Sequence, residues 1–239
     1  MRSEKNNLVV SFPKSGRTWL RVMIGFITCK KLGIDESKSL ESALLRSLCP
    51  SYPLFLHDGI NRGWSKLVED EIASHENDRV LYLHRDIRDV MASYYFHRVH
   101  REKDYHRGIS DFIRDDRWGV VPYLEFHSSW MKNNGEIMTV RYEDIQSDCE
   151  NEIARIIEYF GIRVDSGIIS DSVEFGSFKR MREMEVSGFL GRRMLSPKNK
   201  KDIRSYKTRS GKIGDHANHM GIDDLEYIKN KEEEYGIGK

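Results

Sequence analysis

Cysteine is scarce in this chain. Cys29, Cys49 and Cys149 are its three, too few and too scattered for a disulfide framework or a zinc site. That scarcity predicts a reducing, cytoplasmic setting. A charge of one sign is also lacking. Lys and Arg number 39 against 38 Asp and Glu, a formal net charge of +1, so no global field draws the protein to nucleic acid or to a membrane surface. No apolar run approaches the ~20 residues of a membrane span, and the polar first seven residues do not read as a signal peptide. There is no internal repeat and no low-complexity tract. What is present is 38% apolar and 32% charged residues, the balance of a soluble globular chain on the polar side. Its 239 residues suit one domain, expected over 1–239, with enough length to bury a substantial core.

The most informative stretch is residues 8–21. Leu8-Val9-Val10 is uninterrupted aliphatic sequence, as in a buried parallel strand. Pro13 and Gly16 break it, and the run from Thr18 to Phe26 reads as an apolar helix. Lys14, Ser15, Gly16, Arg17 and Thr18 lie between. A tight turn at a helix N-terminus aims backbone N–H groups and the positive end of the helix dipole at one point. Lys14 adds a full charge, Ser15 and Thr18 add hydroxyls, and Gly16 permits close backbone approach. This is the chemistry of a phosphate cradle. A Walker loop places its lysine after the second glycine; Lys14 precedes Gly16, which argues against an ordinary nucleotide triphosphatase. Taken alone, the loop also fits a plain turn carrying a surface lysine.

Further along, Leu54-Phe55-Leu56 reads as a short strand closed by His57-Asp58-Gly59. Residues just beyond the carboxyl ends of strands are where sites form in open α/β sheets, and histidine suits a general base near neutral pH. Position alone equally allows a solvated turn histidine. Residues 66–76 predict a helix with Leu67, Val68 and Ile72 inward. Residues 79–85 predict a third strand ending near Arg85, followed by a turn and helix over 86–97. Arg85 at the strand end and Ser93 two helical turns on can reach one anion, and a guanidinium fork fits phosphate. Residues 98–118 read as a mixed, partly helical solvated surface; the spacing of His97, His100 and His106 matches no zinc motif. Tyr123, Phe126 and Trp130 recur at helical spacing, an aromatic stripe more often core than pocket. Residues 136–141 predict a fourth strand, with Tyr142-Glu143-Asp144 at its end. Asn151 to Phe160 reads as an amphipathic helix capped by Gly161. Residues 192–212 are basic without an apolar period, as in a flexible loop or a nucleic-acid patch; the acidic stretch 223–234 nearly cancels them. The last segment predicts a charged helix.

Pro13-Lys-Ser-Gly-Arg-Thr-Trp19 resembles the 5′-phosphosulfate loop of the sulfotransferases that use 3′-phosphoadenosine 5′-phosphosulfate (PAPS), with Arg17 where threonine is usual. Residues 85–95 resemble that family's 3′-phosphate site, and Tyr142-Glu143-Asp144 its turn beside the adenosine. Residues 171–184 resemble its segment over the adenine, and residues 209–219 its arginine-lysine-glycine motif with the glycine-aspartate after it. The resemblance runs from about residue 8 to about residue 221. It implies that His57 deprotonates the acceptor, that Lys14 neutralises charge on the bridging oxygen, and that Ser93 stands with them at the catalytic centre. Ser15, Gly16, Arg17 and Thr18 would hold the 5′-phosphate, and Arg85, Ser93, Arg209, Ser210 and Gly211 the 3′-phosphate. Trp19, Tyr142 and Phe178 would enclose the adenosine, and Trp118 and Tyr123 would be candidates for the wall of the acceptor site. Several positions depart from the family pattern. Phe55 stands where members carry a lysine two residues before the histidine, Ile87 replaces a proline, Gly176 a threonine, Ser210 a lysine and His216 a tryptophan. The family's C-terminal lysine-threonine-valine dimer signature has no match, so the sequence sets no oligomeric state.

These observations predict one α/β domain, a parallel sheet with helices on both faces and a P-loop-like cradle after the first strand. Residues 192–212 would form a lid over the nucleotide. The expected activity is sulfuryl transfer from PAPS to a hydroxyl or amine of a small acceptor, without a metal. The rivals are a kinase or nucleotide hydrolase with an atypical cradle, and a nucleic-acid-binding module using residues 192–212. Arg85 argues against the first, since it occupies the strand end where a Mg²⁺-binding aspartate would stand. Absence of interleaved aromatics argues against the second.

Overall fold

A computed structural model of the chain describes residues 5–56, 72–132, 137–191 and 194–237. Four strands form one parallel sheet: β1 (Asn7–Ser11), β2 (Leu54–Leu56), β3 (Arg79–His84) and β4 (Ile137–Arg141), in the order β2-β1-β3-β4. Leu8 pairs with Leu54 on one side and Val80 on the other, and Val80 pairs in turn with Ile137.

The alternation of side chains along the strands divides the core in two. Leu8, Val10, Val80 and Tyr82 face one layer, and Val9, Leu81 and Leu83 face the other. The first layer is closed by α3 (Ile87–His97), α4 (Ile109–Ile113), α5 (Val120–Lys132) and α10 (Ile222–Glu234). The second is closed by α1 (Arg17–Leu32), α2 (Ser42–Leu48), α7 (Cys149–Tyr159) and α8 (Ser166–Phe175). The turn helix α6 (Tyr142–Ser147) precedes α7, and α9 (Phe178–Ser187) follows α8. A third cluster joins Val22 and Phe26 of α1 to Phe175, Met181, Met184, Leu190 and Leu195. This cluster hangs α9 and the segment beyond it on the helix that carries the cradle.

The expected parallel sheet and its flanking helices are present. Two stretches differ from expectation. Residues 98–118 are not merely solvated surface: Phe112 and Ile113 are fully buried, and Arg101, in a π-helical turn over Arg98–Glu102, is buried and donates to the Ser196 and Ser205 carbonyls. The basic stretch after residue 193 contains Leu195, fully buried, and Tyr206, nearly so. Isolated anchors rather than a helical stripe hold it, and such anchors leave no period to read. His57 lies outside the described residues, as do residues 58–71 of the expected turn and helix.

Candidate active site

The cradle forms because the chain must turn sharply between β1 and α1. Lys14 and Gly16 both adopt positive φ, 73° and 97°. At Gly16 the requirement is double, since a Cβ there would come 2.5 Å from Cδ2 of Tyr142. Ser15 is buried and its Oγ has no hydrogen-bond partner among the described residues. Arg17 and Thr18 open α1, and Arg17 donates to the Leu56 carbonyl, tying the helix start to the end of β2. Trp19 donates its indole N–H to the Gly176 carbonyl at 2.7 Å and meets the Tyr142 ring edge-on. Gly176 therefore presents a backbone acceptor to Trp19.

The second group gathers past β3. Asp86 caps α3, accepting from the N–H groups of Arg88 and Asp89, as an N-cap aspartate does. Arg85 thus leaves the strand aimed across the sheet edge. It lies over the Tyr142 ring at 4.2 Å, donates to Asp89 at 3.2 Å and to the Lys212 carbonyl at 3.1 Å, and keeps a buried Nε with no partner among the described residues. Asp89 also accepts from the N–H groups of Gly214 and His216. Burial works to raise its carboxyl pKa, but Arg85, His216 and these amides outweigh burial and hold it below the usual range.

The third contribution comes from far along the chain. Glu185, on α9 and fully buried, accepts from the N–H groups of Lys207 and Thr208 and from the Thr208 hydroxyl, at 2.7, 2.9 and 2.6 Å. Arg101 lies 3.6 Å from the same carboxylate. This pins the start of the 207–216 loop, and Asp89 pins its end. Between them Arg209 stacks on Phe96 at 4.2 Å and pairs with Asp215. Gly211, at φ 66°, runs so close to Phe178 that a Cβ would fall 2.3 Å from the ring. Gln146 holds the Gly211 carbonyl at 2.8 Å.

All three groups open into one cleft of about 290 Å³ at the carboxyl ends of the strands. Lys14, Gly16, Arg17, Thr18 and Trp19 line its floor. Arg85, Ser93 and Tyr142 line one side, and Phe178, Arg209, Ser210 and Gly211 face them. Of the residues singled out from sequence, Ser15 sits behind the lining, and Tyr123 and Trp118 lie outside it. Tyr123 is buried, its hydroxyl donating to the Arg85 carbonyl at 2.6 Å, so it supports Arg85 from the core. Trp118 packs beneath Arg98 and Arg117.

Sequence reading missed Arg21, Asp89, His97, Gln146 and Lys207, which also line the cleft. A basic run marked the neighbourhood of Lys207, but nothing distinguished that lysine from the others. The electrostatics now do. Burial, then repulsion from Lys207, Arg101 and Arg85, pulls the Lys14 amine down to about 7, with Glu185 opposing. Burial and Arg101 bring Lys207 to about 8. Burial, with Lys14 and Arg101 nearby, keeps the His97 imidazole neutral at physiological pH.

A cationic loop after the first strand of a parallel sheet, opposed by an arginine after the third, defines an α/β protein of P-loop type built to hold an anionic nucleotide. The family model described as the sulfotransferase domain matches residues 4–234, and the chain belongs to that family. Sulfotransferase 1E1 of Rattus norvegicus is 27% identical over 236 residues, covering 89% of this chain and 77% of that one. The solved mouse sulfotransferase SULT7A1 complexed with PAP superposes with a TM-score of 0.67 at 17% identity, covering 99% of this chain and 86% of the other. Retinol dehydratase in complex with androsterone and inactive cofactor PAP gives 0.64 at 19%, covering 96% and 80%. The chain is a sulfotransferase by family, on the fold these proteins share.

Proposed function

We propose that the protein transfers a sulfuryl group from PAPS to a hydroxyl or amine of a small acceptor by in-line displacement. The observation that carries this reading is the convergence of Lys14 and Arg85, from the ends of two different strands, on one cleft. The residues fit the nucleotide on their own terms. Gly16 and Gly211 lack a Cβ where one would strike an aromatic ring, and Ser15 Oγ and Arg85 Nε are buried polar atoms without partners among the described residues. Unsatisfied groups of this kind are costly, and an anion satisfies them.

PAPS supplies an activated sulfuryl group on a phosphate leaving group. The protein's part is positioning and charge stabilisation, with little covalent work. Ser15, Arg17, Thr18 and the amides of residues 15–19 hold the 5′-phosphate. Lys14 neutralises charge that builds on the bridging oxygen. Arg85, Ser93, Arg209, Ser210 and the Gly211 amide hold the 3′-phosphate and so select PAPS over a plain adenine nucleotide. Trp19, Tyr142 and Phe178 enclose the adenosine, aromatic faces being suited to a flat base. His57 takes the acceptor proton. The 194–212 segment covers the nucleotide.

Labelled PAPS tests this directly. Sulfated product should form from some member of an acceptor panel, and His57→Ala and Lys14→Ala should each lower turnover by at least roughly a hundredfold. Normal turnover in His57→Ala would remove the base assignment. A larger thermal shift with ATP–Mg²⁺ than with the 3′,5′-bisphosphate PAP would favour a kinase instead.

A further inference from the structure

Among the described residues, the cations lining one end of the cleft have carboxylate partners, and three of those lining the other end have none. At the β3 end Arg85 faces Asp89 and Arg209 faces Asp215. At the β1–β2 end stand Lys14, Arg17, Arg21 and Lys207. Among the described residues no carboxylate pairs with Lys14, Arg21 or Lys207. Among the described residues Arg21 has neutral contacts: its Nε donates to Ser42 at 2.9 Å, and its guanidinium lies over the Phe55 ring at 4.9 Å. The carboxylate behind Lys207 is Glu185, whose oxygens are taken by two backbone amides and a hydroxyl with Arg101 alongside. Arg17 and Arg21 both act on Lys207, so the cations form one group and not scattered charges. Arg17 reaches the carbonyl of Leu56, which places the group beside the end of β2 that leads into His57.

Like charges held together away from water are costly unless an anion joins them. On the reading above, the phosphosulfate engages Lys14 and the cradle amides. Arg21 and Lys207 remain. A neutral phenol or sterol would leave both uncompensated in a site it had just closed to water, and the same acceptor bearing an anionic group would pair with them by charge-assisted hydrogen bonds. We propose that the acceptor of this enzyme carries an anionic group, a carboxylate, phosphate or sulfate, besides its nucleophile, and that Lys207 and Arg21 bind that group. The proposal rests on the sulfuryl-transfer reading.

The test is calorimetry on the full chain saturated with PAP, using two probe pairs: 4-hydroxybenzoate with its methyl ester, and glucose 6-phosphate with glucose. The charged member of at least one pair should bind at least about tenfold tighter, the usual discrimination of one charge-assisted contact. Lys207→Met and Arg21→Met should each bring that ratio below about threefold. Lys207→Gln serves if the methionine variant melts early. No preference in either pair, or a preference that survives both substitutions, overturns the proposal. A Lys207→Met enzyme that slows sulfation of charged and neutral acceptors equally would assign the lysine to the transferring group and overturn it too. Failure to bind PAP at all would instead overturn the sulfuryl-transfer reading, so the two failures are separable.

Discussion

PAP binding to this protein should weaken as pH rises through neutrality, and Lys14 sets the amount. Its amine is held at about 7, first by burial and then by Lys207, Arg101 and Arg85, against a pull from Glu185. A bound phosphate reverses these influences and restores the ammonium. Binding above pH 7 therefore takes up a proton. The sign follows: affinity is fully present below about 7, where the free protein already carries the charge, and falls as pH rises above it. At pH 9 about one molecule in a hundred of the free protein keeps the proton, against half at pH 7. With a bound-state pKa near the ordinary lysine value, the loss is about fiftyfold, or ~2.3 kcal/mol. The PAP phosphates are about nine-tenths ionised at pH 7 and essentially fully above it, their second pKa being about 6, and His97 carries no charge in this range.

Calorimetric titration at pH 7, 8 and 9, in two buffers of different ionisation enthalpy, measures both the loss and the proton uptake. Lys14→Arg keeps the charge and removes the titration, so its affinity should change little between pH 7 and 8. Lys207, at about 8, accounts for slope that remains at higher pH. Flat affinity in the parent protein, or an undiminished slope between pH 7 and 8 in Lys14→Arg, would refute the reasoning.

Other expected outcomes concern the walls of the cleft. Gly211→Ala places a Cβ 2.3 Å from the Phe178 ring at a residue with φ 66°; PAP affinity should fall by at least about tenfold while the melting temperature moves little, since strain of roughly 1–3 kcal/mol is confined to the loop. Unchanged PAP affinity would show that this loop does not shape the nucleotide site. Glu185→Gln keeps the side chain's size but removes the charge facing Arg101 and replaces an oxygen that accepts from the 207–208 turn. A loss of about 2–3 kcal/mol is expected, seen as a melting point lower by about 5–10 °C in a chain of this length. A melt superimposable on the parent's would contradict it.

The sheet was legible in the sequence because its strands are short apolar runs with punctuation. Leu8-Val9-Val10 stops at Pro13, and Leu81 and Leu83 stop at a strand-end arginine followed by a capping aspartate. The cradle was legible because its residue types are few and adjacent. Lys207 and Glu185 were not legible, for a physical reason. Their importance comes from an environment made by Arg101, Lys14 and α9, elements that lie tens to hundreds of residues apart in the chain. Arg101 was hidden in the same way, looking like one more charge in a polar stretch while its guanidinium is buried against two carbonyls. Tyr123 shows the opposite error. The family resemblance suggested a pocket wall, whereas burial, as the helical spacing of the aromatic stripe implied, and a hydrogen bond to the Arg85 carbonyl make it a prop for the arginine that does line the cleft.

The two halves of the cleft are held to different standards of stability. Lys14 and Arg85 leave strands whose neighbours are fully buried on both faces, so opening that half would unravel the sheet. The opposing half, residues 207–216, is joined to the body by polar ties: Glu185 and Asp89 accept from its amides, and Gln146, Arg85 and Arg182 donate to its carbonyls. No hydrophobic side chain of residues 207–216 lies in the core, Ile213 being half exposed, so this half opens at a cost below global unfolding. A nucleotide that bridges Arg85 and Arg209 stabilises the closed arrangement by its own binding free energy. Without PAP, amide hydrogen exchange at Lys207, Thr208, Gly214 and His216 should therefore be faster than at Val9 and Leu81, and the loop amides should slow on adding PAP in proportion to ligand concentration above its dissociation constant. Equal protection of strand and loop amides in the absence of PAP would mean that the loop opens only with the whole domain, and would end the argument that the site closes by ordering one half against the other.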